Sequence, residues 1–391
     1  MKRIILLICV ILGSSSAGLL SQGVQDTSVY LITCGPGTET YSIYGHSALR
    51  VEMPHRNIDM VYNWGVFDFS TPNFAYKFAR GKLQYMLDSD DFTRFLQIYM
   101  FEKRWVQAQK INLTSAEKKY LMELVTENLK PENKKYLYDF FYDDCSTRIR
   151  DLLEKVIGTN LRYQPSPDTR REASFRFLTG SYQRPYPWLD LGIDMLMGTP
   201  SDKKASDRDR MFLPIEMQKE LSRAVVMREG KMVPLLQNPV TVIDFPDPVV
   251  KSSLITHPLL VTSLLFIALI ILFALVRNRN VIKTADIIIF SVYSILALLM
   301  VFTNFITDHQ QMKYNLTMLW ISPFIPVCLL ALILNRDWVI VFRLVFILSL
   351  LSFVIVTLFP NIANTAFVPL ILIILLRSSA RSEFTWNPFT V

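Results

Sequence analysis

Cysteine and histidine are scarce in this chain of 391 residues, which has four of each, and neither type is grouped. Cys9, Cys34, Cys145 and Cys328 form no CxxC pair and no metal-ligand spacing, so a zinc or redox-motif reading is excluded and neither metal nor cofactor is expected. There is no internal repeat and no low-complexity tract, which sets aside solenoid and linker architectures. Basic residues are scarce in two of the loops of the apolar second half: 307–316 holds only Lys313, and 360–363 holds none.

Apolar side chains, by contrast, are plentiful. They make up 51% of the residues and the mean hydropathy is +0.28, too high for an ordinary soluble protein, yet the middle of the chain is charged. Met1-Lys2-Arg3, the apolar run Ile4–Leu12 and the small residues Ser14–Ala17 read as an export signal over 1–17, cleaved after Ala17. Five apolar runs follow, at Pro258–Val276, Ala285–Ile306, Thr317–Leu334, Trp338–Phe359 and Asn364–Leu376. Arg277, Arg279, Lys283, Arg336, Arg377 and Arg381 occupy alternate loops and the tail, which places those inside and residues 18–256 outside. The expected division is therefore signal 1–17, exported domain 18–256, membrane domain 257–377 and cytoplasmic tail 378–391. A membrane-tethered exported domain gives the net charge of +7 no need of nucleic acid.

Within the exported part, Asp143-Asp144-Cys145-Ser146-Thr147 precedes Ile149, Leu152, Leu153, Val156 and Ile157 and ends at Gly158. That spacing predicts a helix with Asp144 as N-cap and Cys145 in its first turn, where free N–H groups and the helix dipole favour thiolate. Cys34 and Cys145 are the two cysteines of the exported part, and an oxidising compartment would allow them to pair. Of the four histidines, only His46 falls on a regular element of this part, in the strand-like Ser42–Val51 after Gly45. A thiol nucleophile needs a base, and His46 is the candidate.

The rest of this part reads as mixed α and β. Strands are expected at Val29–Thr33, Asp59–Phe69 and Arg104–Leu113, and short helices at Phe74–Gly81 and Asp91–Phe101. A capping box at Thr114–Glu117 opens a helix to about Leu129. An Arg- and aromatic-rich block spans Ala173–Met232.

The motifs TCGPGTETYSIYGHSALRV (33–51), YNWGVFDF (62–69), YDFFYDDCSTRIRD (138–151) and WLDLGIDMLMGTPSDKKASDRDRMFLP (188–214) resemble those of Lnb-type lipoprotein N-acyltransferases of Bacteroidota. The likeness extends to the polytopic tail and the loop DHQQMKYNLTMLW (308–320). One position departs: Asn is more usual than Asp144 before the cysteine, and the carboxylate would oppose a thiolate. The resemblance implies an α+β, papain-like exported domain of the permuted NlpC/P60 kind, followed by an all-α membrane domain of about five transmembrane helices. It also implies Cys145 as nucleophile and His46 as base, with a polar residue on the next strand orienting the imidazole. Asn63 and Asp68 compete for that place, and Asn63 is favoured because a buried amide fixes the tautomer without an unpaired charge.

The implied reaction moves an acyl chain from a membrane phospholipid, through a Cys145 thioester, to the α-amino group of a diacylglyceryl-cysteine lipoprotein. It would take place on the periplasmic side of the bacterial inner membrane. Arg148, Arg150, Arg50 and Tyr44 are candidates for substrate contacts, as are His309 and Asn315 in the external loop. A cysteine peptidase or amidase acting on cell-wall peptide and a non-catalytic envelope scaffold are the competing classes.

Overall fold

From Leu31 to Cys34 every residue of the first strand is buried, as befits the middle of a sheet covered on both faces. The computed structural model describes residues 27–165, 173–250 and 253–382. The signal segment 1–17, with Cys9, and the tail beyond 382 lie outside the described residues. The strands are β1 (Ser28–Cys34), β2 (His46–Met53), β3 (Ile58–Val66), β4 (Gln84–Asp91), β5 (Val106–Lys110) and β6 (Lys135–Leu137), then β7 (Leu161–Arg162), β8 (Val225–Arg228), β9 (Lys231–Pro234) and β10 (Val240–Ile243). Seven of them form one antiparallel sheet in the order β10-β5-β1-β2-β3-β4-β6, and β7-β8-β9 form a small second sheet.

The helices of this first unit are α1 (Phe74–Arg80), α2 (Phe92–Phe101), α3 (Ser115–Leu129) and α4 (Cys145–Ile157). Strand alternation sends Leu31, Leu49, Val51 and Leu87 to one face of the sheet, where Ile149 and Leu153 of α4 and Leu121 of α3 meet them. Ile32, Ala48, Val61 and Val106 point the other way, onto Phe92, Phe95 and Tyr99 of α2. Each fully buried Leu or Ile contributes about 2 kcal/mol, so α4 is fixed to the sheet by its apolar stripe rather than by its ends. The capping box at Thr114 and Glu117 forms on both sides.

The sheet differs from expectation in the start of β2 and in three strands that the sequence pattern did not announce, β4, β6 and β10. β2 starts at His46, not Ser42, because residues 39–45 close on themselves through Ser42 N–H to Glu39 O and Gly45 N–H to Ser42 O. The stretch between Pro239 and Pro246 supplies β10, which pairs with β5 at the sheet's edge.

The compact units do not follow a single boundary near 256. The first comprises residues up to Phe78, Lys82–Glu172 and Ala205–Pro248; the second comprises Ala79–Gly81, Ala173–Lys204 and Val249–Val391. The Arg-rich block is thus split. In the second unit, α5 (Phe175–Gln183) and α6 (Pro187–Leu196) are tied together by Arg176, which pairs with Asp194 and Asp202 and donates to the carbonyls of Met197 and Gly198. The first unit's α7 (Pro214–Arg223) comes after this block.

The membrane helices are α8 (Pro258–Leu275), α9 (Arg279–Val301, continued by a π-helical turn to Ile306), α10 (Ile325–Leu334), α11 (Val339–Leu358) and α12 (Phe367–Ala380). Among the described residues, α8, α9 with its extension and α11 are long and apolar enough to cross a membrane; α10 and α12 are shorter. The expected span from Thr317 is broken: Leu316–Leu319 is a 3-10 turn, and α10 starts only at Ile325, after Pro323 and with Pro326 in its first turn. Asp286 of α9 is fully buried and takes bidentate bonds from Arg377 and a further pair from Arg381.

Candidate functional site

The β1–β2 register sets Cys34 opposite His46. Gly45 precedes the histidine with φ +82°, and a Cβ there would lie 2.8 Å from the Cys34 carbonyl oxygen, so only glycine brings the chain round this corner. One strand further, the β3–β4 ladder slips between Trp64 and Val66, leaving Gly65 as a bulge at φ +92°. A methyl on Gly65 would sit 3.7 Å from Cys145 Cβ, 4.0 Å from His46 Cε1 and 3.6 Å from Tyr138 Cε2. The bulge is therefore the gap that the thiol and the imidazole both border.

α4 begins as its sequence predicts. Asp144 caps it by accepting from Ser146 N–H at 2.9 Å and Thr147 N–H at 2.8 Å, and Thr147 Oγ1 accepts from Asp144 N–H at 2.7 Å. Cys145 is thus N1 of the helix and is 6% exposed. Its Sγ lies 3.8 Å from Ser146 Oγ, which donates in turn to Ser47 Oγ at 3.2 Å.

On the histidine side, Asn63 Oδ1 is 2.5 Å from His46 Nε2. An amide oxygen only accepts, so Nε2 carries the proton and Nδ1 keeps its lone pair. Among the described residues Nδ1 has no hydrogen-bond partner, and no hydrogen bond joins the thiol to the imidazole. Asp68 does not reach the ring: it is exposed and accepts from Ser70 N–H and Oγ–H in the turn after β3.

The electrostatics correct one expectation. Burial pushes the Cys145 thiol above its ordinary 9.0, although the amides of Ser47, Ser146 and Cys145 and the Ser146 hydroxyl pull the other way. Burial likewise drives His46 down to about 4, with the Arg104 charge adding to it and the Asn63 bond opposing it. Burial also raises the Asp144 carboxyl well above its usual range against the pull of its N–H donors. Desolvation outweighs the helix dipole here, and the resting pair is neutral thiol and neutral imidazole. Cys34 stays a free thiol, pushed by burial up to about 12, and makes no disulfide with Cys145.

The other candidates are dispersed. Arg148 is held by Asp143 at 2.5 and 2.7 Å and lies over the Tyr136 ring, and Arg150 is buried between Asp151 and the Arg208 carbonyl. Arg50 forms a bidentate pair with Asp59 over the Phe92 ring. All three guanidiniums have partners within the fold. Tyr44 packs edge-on against Phe140. His309 and Asn315 belong to the second unit. Asn315 is buried rather than solvated: its Nδ2 donates to Met195 O at 2.9 Å and its Oδ1 caps the turn at Thr317. Ser47, Gly65 and Tyr138 line the site without having been expected; a glycine inside a strand pattern was the available signal for Gly65. Among the described residues no His/Cys/Asp/Glu group could hold a metal ion.

No curated protein and no solved structure matches the chain. Two family models do. Residues 21–174 match the Lnb N-terminal periplasmic domain, and residues 250–385 match the Lnb transmembrane domain. Found in that order on one chain, with the mixed α/β unit and the apolar helices each under its own match, they make this an Lnb-type protein with a periplasmic portion and a membrane portion.

Proposed function

We propose that this protein is a lipoprotein N-acyltransferase of the bacterial inner membrane, multi-pass, with Cys145, His46 and Asn63 as its catalytic groups. The observation that carries the reading is the His46–Asn63 bond, which leaves the Nδ1 lone pair free on a half-buried, neutral imidazole whose Cε1 borders the same glycine gap as Cys145 Cβ. His46 Nδ1 takes the thiol proton as sulfur attacks the ester carbonyl of a membrane phospholipid. The carbonyl–oxygen bond breaks, the lysolipid leaves with the proton from Nδ1, and a thioester remains. The α-amino group of a diacylglyceryl-cysteine lipoprotein attacks that thioester. Its proton passes to Nδ1 and returns to sulfur as the amide forms.

The backbone N–H of Cys145, at the helix N-terminus, and that of Ser47 are the donors suited to the oxyanion of each step. Both substrates are lipids, which gives the membrane domain its purpose: a tethered site meets them at high local concentration. The test is the mass of a lipoprotein's N-terminal peptide from cells carrying the wild-type chain or Cys145→Ala. The variant should yield only the diacylated form at normal protein level; a triacylated peptide from the variant refutes the thioester.

A further inference from the structure

Helix α1 has no buried residue, although its sequence Phe-Ala-Tyr-Lys-Phe-Ala-Arg is largely apolar. Seven residues are too few to hold a helix in water on propensity alone. Tyr76 is 59% and Phe78 54% exposed, and Phe69, in the preceding turn, is 72% exposed. The rings nonetheless associate: Phe69 and Phe74 have centroids 5.0 Å apart, and Phe74 stacks with Phe78 at 6.4 Å. Lys77, Arg80 and Lys82 lie among them in sequence. An aromatic patch mixed with basic residues, on the periplasmic portion of a membrane protein, has the composition of a bilayer interface element.

The patch is continuous with the thiol. Phe69 meets Phe67 at 4.9 Å, Phe67 meets Tyr85 at 5.3 Å and Tyr85 meets Tyr138 at 4.4 Å. Tyr138 borders the Gly65 gap that Cys145 also borders. The chain just after Phe78 supplies an independent observation. Ala79–Gly81 belongs to the second unit, and there Asp308 N–H, in the loop after α9, donates to Arg80 O at 2.9 Å. The last residues of α1, Ala79 and Arg80, thus belong to the unit that holds the apolar helices.

We propose that Phe69, Phe74 and Phe78 enter the bilayer interface and that Phe67, Tyr85 and Tyr138 form the track along which a phospholipid acyl chain reaches Cys145. The second half rests on the acyl-transfer reading; the first does not. The full chain in nanodiscs of phosphatidylethanolamine and phosphatidylglycerol, with the photocrosslinker p-benzoylphenylalanine at position 69, 78 or 120, tests the first. Crosslinks to phospholipid at 69 and 78 should exceed those at 120, on α3, at least tenfold, and should persist in Cys145→Ala. Equal yields at all three positions overturn the interface assignment whether or not the protein transfers acyl chains. Phe69→Ser and Phe78→Ser replace exposed rings and should keep the wild-type melting temperature and the wild-type rate of Cys145 alkylation by iodoacetamide. Transfer from vesicle phospholipid should fall at least tenfold in each. Tyr85→Ala, which interrupts the track between Phe67 and Tyr138, should lower transfer at least tenfold as well, and wild-type transfer in that variant overturns the track.

Discussion

Alkylation of Cys145 by iodoacetamide separates a neutral resting pair from a thiolate–imidazolium pair, because only the thiolate reacts. The structure buries the thiol and raises it above 9.0, and burial lowers His46 to about 4, so neither group is charged between roughly pH 5 and 8. At pH 7 the thiolate fraction is then under about 1%, two pH units or more below the midpoint. The rate should climb about tenfold per pH unit from 6 to beyond 8, with no plateau below 9. An ion pair would instead give a rate already near its maximum at pH 5–6. The assay is stopped-time labelling of the full chain in detergent, read by the mass of the peptide containing Cys145. Cys34→Ser and Cys328→Ser in the background remove the other two buried thiols. His46→Gln should leave the profile almost unmoved, since the thiol's position is set by burial and by the amides of Ser47, Ser146 and Cys145. A plateau at pH 6 that disappears in His46→Gln would refute the argument and restore the helix-dipole view.

Four further outcomes follow from the geometry. Gly65→Ala forces a side chain into φ +92° and into the gap between Cys145 and His46; it should cost about 1–2 kcal/mol and reduce acyl transfer far more than that, measured as melting temperature against kcat/KM. Asn63→Asp sets a carboxylate against His46 Nε2 and should move the acid limb of kcat/KM upward from near 4 by a unit or more, whereas Asn63→Ala should lower the rate about 10–100-fold without raising that limb. His46 is depressed from 6.5 to about 4 by folding, so the folded state binds fewer protons between those values; its contribution is complete above pH 6.5 and is lost as pH falls through 4, and His46→Gln should flatten that part of the stability curve. Asp286→Ala leaves Arg377 and Arg381 without their shared carboxylate inside the membrane domain and should destabilise by about 3–5 kcal/mol, seen as loss of monodisperse protein in detergent, while Asp286→Glu keeps most of it.

Local rules made the site legible where its chemistry depends on local structure. Asp144, Cys145 and Thr147 lie within one helical turn, and the apolar stripe from Ile149 to Ile157 suffices to place that helix on a sheet. The capping box at Thr114 reads equally well because its reciprocal bonds link residues three apart. The choice of Asn63 as the imidazole's neighbour needed only strand order and the cost of an unpaired buried charge, and the structure does set Asn63 against His46.

What sequence could not supply was burial. The helix dipole argues for a thiolate whenever a cysteine stands at N1, but the sign of the net effect depends on how much water the fold leaves around sulfur, and that is set by residues as distant as Ser47 and Tyr138. The same lack kept the partners of Arg148, Arg50 and Asn315 out of sight in the sequence. Each has the chemistry to bind a lipid headgroup, and each is already paired by partners five residues (Asp143), nine residues (Asp59) or 120 residues (Met195) away. The division into units was hidden for a related reason. Ala173–Lys204 looks like part of an exported domain by composition, yet Gly198 meets the carbonyl of Lys313 so closely that any side chain would collide, and its N–H donates to Gln311 O. A contact that depends on the absence of a Cβ has no periodicity to betray it. Gly198 therefore joins Gly45 and Gly65 as positions where this chain's architecture turns on a missing side chain, and at Gly65 the missing side chain makes room for the chemistry proposed for Cys145 and His46.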